Sequence, residues 1–174
     1  YSIHPDKVED YLSTLREKYG DARIGLIRER NFDYDGWMDI ANKVVKNVLV
    51  PCDLTTELVT KLPGKRIVCT NAGDKSTERI LNYLGMGNTF HHIDSFNEDR
   101  NFTAKPDLVV YTNLIKNLDV DPKTCAFFED SAHNLKPAHD MGMTTVLVHG
   151  EKDGRDYIHH AYPSLLDFLK EYSN

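Results

Sequence analysis

Two adjacent carboxylates, Glu129 and Asp130, directly follow the short apolar run Cys125–Phe128. The run is too short for a helix and shows no alternation, so it predicts a parallel strand that is buried on both faces. Adjacent carboxylates at such a strand end stay ionised only when a cation or a hydrogen-bond network compensates them. Because carboxylate oxygens suit Mg²⁺, the pair is a candidate magnesium site. The alternative is a solvated turn after a strand.

Two other strand ends carry polar groups of complementary chemistry. The run Thr70–Gly73 offers a hydroxyl, a side-chain amide and small residues whose backbone N–H groups can approach an anion closely. Lys105 places a cation just before a predicted helix. In this interpretation Thr70 and Asn71 bind phosphate oxygens, Lys105 neutralises their charge, and the acidic pair holds Mg²⁺ against the same group. Each residue also has an ordinary alternative, since threonine favours strands and lysine is usually solvated.

The elements that position these groups alternate along the chain. Beyond residue 65, strands are predicted at 66–70, 91–96, 125–128 and 144–148, and helices at 76–84, 106–118, 134–141 and 165–169. This alternation predicts an α/β fold, a Rossmann-like parallel sheet with right-handed crossovers. The carboxyl ends of parallel strands meet at one edge of the sheet, so the polar groups are expected to converge there.

The first part of the chain has a different pattern. Apolar residues at helical spacing predict helices at 4–19, 24–30, 35–48 and 54–62, and no strand is predicted before residue 66. The chain therefore begins with a helical region and continues as an α/β region.

Length and charge limit the possible functions. A chain of 174 residues with a net charge of −6 and no basic stripe predicts one main folding unit and excludes nucleic-acid polymers as partners. No apolar run approaches eighteen residues, so no membrane span is expected. The cysteines Cys52, Cys69 and Cys125 are widely spaced and odd in number, which favours reduced thiols in a cytoplasmic protein. A small phosphorylated substrate is compatible with all of these features.

Several motifs together resemble haloacid dehalogenase (HAD) superfamily phosphatases. The segments Val68–Asn71, Lys105-Pro106 and Phe127–Ser131 with Asn134 are similar to the second, third and fourth motifs of that superfamily. Further likeness, to the pyrimidine 5'-nucleotidase branch, lies in Leu62–Lys65, Glu78–Leu81, Pro137–His139 and Gly142–Val146, and in Tyr19-Gly20 and Gly25-Leu26 of its helical cap.

The resemblance implies a division of the chain and an activity. Residues 1–50 would form a partial helical cap, and residues 51–174 the HAD-like α/β core. The implied activity is Mg²⁺-dependent dephosphorylation of a small phosphomonoester through an aspartyl-phosphate, with a nucleoside 5'-monophosphate as one candidate substrate. Thr70, Asn71 and Lys105 would be catalytic, and Asp130 and Glu129 would hold the metal.

The first motif of such phosphatases, Asp-x-Asp-x-Thr after an apolar strand, is not found. In the family this motif ends a central strand, so the sheet is expected to have a gap between the strands ending at Thr70 and Glu129. Asp33 and Asp35 have the right spacing, but the charged segment Arg28–Asn31 precedes them and Trp37 stands where a threonine belongs. We interpret one of these aspartates as a helix N-cap rather than the nucleophile.

Three explanations follow from the missing motif. The chain begins at Tyr1 rather than methionine, so one expectation is that residues preceding it carry the nucleophile. In the second, the central strand comes from another segment or another chain, as in a homodimer with strand exchange. In the third, the protein is a catalytically inactive binding or interaction module that retains relics of the site.

Overall fold

The structure is a computed structural model, and it describes residues 3–19, 21–34, 36–38, 40 and 49–173. Its helices are α1 Val8–Tyr19, α2 Ala22–Arg30, α3 Asp53–Lys61, α4 Asp74–Tyr83, α5 Leu108–Leu118, α6 Ala132–Asp140 and α7 Leu165–Tyr172. Its strands are β1 Ile67–Cys69, β2 His92–Asp94, β3 Ala126–Glu129, β4 Thr144–Val148 and β5 His160–Tyr162, and 3-10 turns lie at Pro5–Lys7 and Pro122–Thr124. None of the helices among these residues is both long and apolar enough to cross a membrane.

All the strands pair in parallel, which confirms the α/β prediction. β1 pairs with β2, and β3 pairs with β4, which in turn pairs with β5. A helix connects each of the first two pairs, α4 between β1 and β2 and α6 between β3 and β4. Strand β5 was not predicted, because its three residues, His160 to Tyr162, form no apolar run. The helix predicted over 35–48 lies mostly outside the described residues.

The two sheets are separated by an open slot between β1 and β3. No strand of the described residues pairs with either of them on that side. Cys69 of β1 and Phe127 of β3 nevertheless pack in one hydrophobic cluster with Val110 and Tyr111 of α5. Lys105 spans the slot, because its ammonium contacts both the Cys69 carbonyl and the Glu129 carboxylate. The gap expected from the missing motif is therefore present in this part of the chain.

The pairing pattern shows which backbone groups face the slot. In a parallel strand, alternate residues direct their N–H and C=O groups to opposite sides. The Thr70 N–H and the Cys125 carbonyl bond toward β2 and β4, respectively, so residues 67, 69, 126 and 128 direct theirs into the slot. Of these groups, only the Cys69 carbonyl has a hydrogen-bond partner among the described residues. Ala126 is exposed and Ile67 and Phe128 are half-buried, and a further strand in the slot would pair their backbone groups.

Strand β3 is less buried than the sequence predicted. Ala126 is exposed and Phe127 and Phe128 are half-buried, whereas Glu129 at the carboxyl end is buried. The prediction of a strand buried on both faces was therefore wrong for the apolar residues. The physical reason is the slot, since a neighbouring strand on that side would supply the side chains that cover β3.

The N-terminal helices pack directly on the α/β region. α1 and α2 lie against each other, and a hydrophobic cluster joins Ile24 and Tyr34 to Phe96 and Ala104. Asp21 caps α2 by accepting a hydrogen bond from the Arg23 N–H, as short polar residues do at helix starts. The division into a cap over 1–50 and a core over 51–174 stays a prediction.

Candidate active site

The centre of the site is a buried ion pair between Lys105 and Glu129. The Lys105 Nζ lies 2.5 Å from the Glu129 Oε2, and the two side chains are only 8% and 7% exposed. The same ammonium donates a hydrogen bond of 2.8 Å to the Cys69 carbonyl at the end of β1. Lys105 thus links the ends of two strands from different sheets, while its predicted role of neutralising phosphate oxygens stays a prediction.

Asn71 holds the backbone of Lys105 with both ends of its side-chain amide. Its Nδ2 donates to the Lys105 carbonyl at 2.9 Å, and its Oδ1 accepts from the Lys105 N–H at 2.8 Å. The predicted role was phosphate binding by this side chain. The structure gives the Asn71 amide a positioning contact with Lys105, and because the amide nitrogen carries a second proton, the phosphate-binding role stays a prediction.

Thr70 is fixed through its backbone and keeps a hydroxyl at the strand end. Its N–H donates to the Asp94 carbonyl at 2.9 Å, and its carbonyl accepts from Arg100 Nη1 at 2.7 Å. The Thr70 Oγ1 accepts from the Ala72 N–H at 3.1 Å. A hydroxyl that accepts one hydrogen bond still has its own proton to donate, so Thr70 can bind a phosphate oxygen.

The two adjacent carboxylates have different environments. Glu129 is buried, and its oxygens accept from Lys105 Nζ and from the Ser131 N–H, the latter at 3.2 Å. Asp130 is exposed. Its pKa is lowered, first by a hydrogen bond with the adjacent Glu129 carboxyl and further by the charge of Lys105, so Asp130 is ionised at neutral pH. Of the predicted metal pair, only Asp130 is exposed, so its carboxylate is the one that a metal ion reaches from solvent.

The described residues supply only part of a magnesium site. They contain no cluster of three or more His, Cys, Asp or Glu side chains that could hold a metal ion. Mg²⁺ often binds through one or two carboxylates together with waters and substrate phosphate, so Asp130 fits as one ligand of such an ion. Glu129 already accepts hydrogen bonds from Lys105 and Ser131, and its role as a second metal ligand stays a prediction.

Asp33 and Asp35 were the weak candidates for the nucleophile. The Asp33 Oδ1 accepts a hydrogen bond of 2.9 Å from the Gly36 N–H, which is the helix-capping contact that the sequence predicted. Asp35 lies outside the described residues. No contact places Asp33 against Lys105 or Glu129 among the described residues.

Three contacts to the site were missed from the sequence. Arg23 Nη1 and the Tyr34 hydroxyl both donate to the Asn71 carbonyl, at 3.1 and 3.2 Å, and Arg100 donates to the Thr70 carbonyl. Tyr34 stands among other aromatic residues and Arg100 in a charged loop, so neither carried a motif. Arg23 and Tyr34 show that the N-terminal helical region reaches the strand ends.

Cys69 adjoins the site but is chemically protected. Burial, the largest cause, raises the pKa of its thiol to about 12. Cys52 is exposed, and hydrogen bonds from Thr55 lower its pKa.

We expect iodoacetamide at about pH 8 to alkylate Cys52 in the native protein and to leave Cys69 unmodified, because the thiolate is the reactive form. Peptide mass analysis after short exposure checks this, and equal labelling of the two thiols would contradict it.

Comparisons with known proteins agree with this geometry. A family model described as haloacid dehalogenase-like hydrolase matches residues 6–142. The chain is similar to bifunctional epoxide hydrolase 2 of Rattus norvegicus, with 35% identity over 83 residues, which are 47% of this chain and 15% of that protein. It is also similar to a CBBY-like protein of Arabidopsis thaliana, with 32% identity over 84 residues, 48% of this chain and 26% of that protein. The matched region is thus a minor part of either relative.

Solved structures share the fold at low sequence identity. A crystal structure of a dehalogenase with an intermediate complex matches with a TM-score of 0.65 and 18% identity, over 94% of this chain and 80% of that one. A HAD phosphatase from Thermococcus onnurineus matches with a TM-score of 0.60 and 18% identity, over 95% of this chain and 88% of that one. At these identities the likeness concerns the fold alone.

Proposed function

Because the chain belongs to the haloacid dehalogenase-like hydrolase family, we propose that it supplies most of the active site of a phosphatase for small phosphomonoesters. The observation that carries this proposal is the buried Lys105–Glu129 pair. The pair places a fixed cation against the carbonyl of Cys69, the residue before Thr70, at the carboxyl ends of two parallel strands. Ligands in open parallel sheets bind at that position.

The proposed reaction needs an aspartate that the described residues do not present. A strand in the slot between β1 and β3 would end beside Lys105, and an aspartate at its end would be the nucleophile. One oxygen of that carboxylate would attack phosphorus while the ester P–O bond breaks, and the leaving oxygen would take a proton. Water would then hydrolyse the aspartyl-phosphate and release inorganic phosphate. Lys105 and Thr70 would bind the phosphoryl oxygens throughout.

We also propose that the enzyme depends on Mg²⁺, with Asp130 as the residue of this chain that binds the ion. When bound, the ion would neutralise charge on the phosphoryl group. Glu129 would act indirectly, because its carboxylate holds Lys105 in place.

A nucleoside 5'-monophosphate is the proposed substrate class. Tyr34 reaches the site through its bond to the Asn71 carbonyl, and the Trp37 ring lies 6.0 Å from the Tyr34 ring between centroids. Trp37 is 45% exposed, so one part of its ring is free to stack on a base. These contacts support a planar substrate group on the side of the N-terminal helical region.

The test is phosphate release from para-nitrophenyl phosphate with and without Mg²⁺. We expect chelation by EDTA to abolish release and Asp130→Asn to lower kcat/KM at least about tenfold, because the variant loses the free carboxylate of the site. Asp140→Asn is the matched control, since Asp140 is an exposed aspartate paired with Lys136 on α6, and its activity should stay near that of the wild type. Hydrolysis of uridine 5'-monophosphate in the same assay tests the nucleotide proposal.

Two outcomes would contradict the proposal. Release that is indifferent to both EDTA and Asp130→Asn would place the activity elsewhere. A folded protein that releases no phosphate would favour the other candidate function, a non-catalytic interaction module, which the open slot supports. A strand contributed by a second copy would then appear as a dimer in light scattering.

A further inference from the structure

A second cavity lies at the free edge of β2, on the side of the sheet away from the slot. Its volume is about 200 Å³, several times the roughly 30 Å³ that one water molecule occupies in the liquid. Arg100 lines it together with residues of β2 and of α5. Arg100, which also donates to the Thr70 carbonyl, connects this cavity to the end of β1.

Arg100 carries two hydrogen-bond donor atoms that have no partner. Its side chain is 8% exposed, and its Nη1 donates to the Thr70 carbonyl and lies 3.7 Å from the Asp94 Oδ2. The Nε and Nη2 atoms are buried, and neither has a hydrogen-bond partner among the described residues. Nε and Nη2 form one edge of the planar guanidinium, and their parallel N–H groups match the two oxygens of a carboxylate.

The rest of the cavity wall combines amides with apolar groups. Val109, Asn113 and Asn117 follow one another at four-residue spacing along α5, so they form one stripe of that helix. Val109 and Ile93 are both exposed large apolar residues at the cavity. The wall therefore offers the amides of Asn113 and Asn117 and the aliphatic carbon of Val109 and Ile93.

The charges around the cavity are compatible with a monoanion. Asp94 already faces Arg100 from the Nη1 side, which leaves the Nε edge for another acceptor. Asp99 and His92 are the other titratable groups of the wall, and both are exposed, where solvent screens them. A dianion would meet more repulsion from Asp94 and Asp99 than a monoanion.

From these observations we propose that the cavity binds a small organic acid, whose carboxylate bonds side-on to Arg100 and whose short apolar body lies against Val109 and Ile93. Binding of the acid does not require phosphatase activity. Since both nitrogens are buried, a ligand must displace part of the wall, and we expect a Kd on the order of 1 mM for a four-carbon acid. Because Arg100 also donates a hydrogen bond to the Thr70 carbonyl, binding of the acid should change the structure at the end of β1.

The experiment is a titration of the full chain with sodium butyrate, at constant ionic strength, followed by ¹H–¹⁵N spectra. We expect a saturable shift of the Arg100 Nε–H resonance and of the Asn113 and Asn117 side-chain amides. Butyramide, which has the same body without the carboxylate, should produce no comparable shift. No saturable shift with butyrate at about fifty times the expected Kd would overturn the proposal.

Variants distinguish the contribution of the planar guanidinium edge from that of its positive charge. Arg100→Lys keeps the charge but lacks the planar edge, so the Asn113 response should weaken at least about tenfold. Asn117→Leu, which fills part of the cavity and leaves Arg100 in place, should also weaken binding. Arg16→Lys, at an exposed arginine on α1, should respond like the wild type. An unchanged butyrate response in both cavity variants would overturn the assignment, as would an equal response of Arg100 to inorganic phosphate.

Discussion

Replacement of Lys105 by methionine is expected to lower the free energy of unfolding by about 3–5 kcal/mol, because it leaves the Glu129 carboxylate buried without its cation. Methionine keeps most of the aliphatic length, so the loss reports the missing charge rather than an empty space. Both side chains of the pair are almost fully buried, and the Cys69 carbonyl loses its donor as well. Urea unfolding followed by circular dichroism measures the change.

Lys136→Met provides the matched control for that experiment. Lys136 also pairs with a carboxylate, that of Asp140 at 2.7 Å, but both side chains are more than half exposed. An exposed ion pair contributes little to stability, so Lys136→Met should unfold at the same urea concentration as the wild type. The double variant Lys105→Met with Glu129→Met should recover most of the lost stability, since it removes both buried charges. Equal losses in the two single lysine variants would contradict the argument from burial.

Gly25→Leu is expected to lower the free energy of unfolding by about 2–3 kcal/mol, because α1 and α2 approach too closely for a side chain there. A Cβ at Gly25 would lie 2.7 Å from the Leu15 Cβ and 2.9 Å from the Tyr19 Cδ2. Leu15 is fully buried, and its Cβ is fixed to the helix backbone, so the helices themselves must separate. The estimate includes the gain of up to about 1 kcal/mol from replacing a helical glycine.

Ser13→Leu tests the same new side chain at an exposed position of α1. It should leave the stability unchanged or raise it by a few tenths of a kcal/mol, since leucine favours helices more than serine does. Thermal unfolding of the two variants separates crowding from the effect of added apolar surface. A Gly25→Leu protein as stable as Ser13→Leu would show that the helix pair can adjust without cost.

The elements of the α/β region could be predicted because their signals are local. Runs such as Thr144–Val148 are apolar and β-branched, and Gly85 and Gly142 follow helices whose apolar residues recur at helical spacing. The convergence of Thr70, Lys105 and Glu129 followed from the rule that parallel strands end at one edge. The structure brings Cys69, the neighbour of Thr70, together with Lys105 and Glu129 at this edge.

The hydrogen-bond or ion-pair partner of each site residue could not be predicted, because it depends on which distant residues the fold brings close. Asn71 has an amide that could bind a phosphate, and only the position of the Lys105 backbone shows that this amide also holds Lys105. Glu129 and Asp130 are chemically alike and adjacent, yet one is buried against Lys105 and the other is exposed. The sequence did not indicate Arg100 as a site residue, since a charged residue in a loop is usually solvated.

The separation of the strands into two sheets also determines how the protein opens. Each sheet comes from one continuous part of the sequence, β1–α4–β2 for the first and β3–α6–β4–β5 for the second. The strands of each sheet therefore pair with strands that are near in sequence. Such contiguous units exchange their amide hydrogens as cooperative groups with their own free energies of opening. Among the described residues, Lys105 and the packing of Cys69 and Phe127 on α5 couple the two units, and no shared ladder does, so their protection against exchange should differ. A strand seated between them would join the ladders and make the two units open as one.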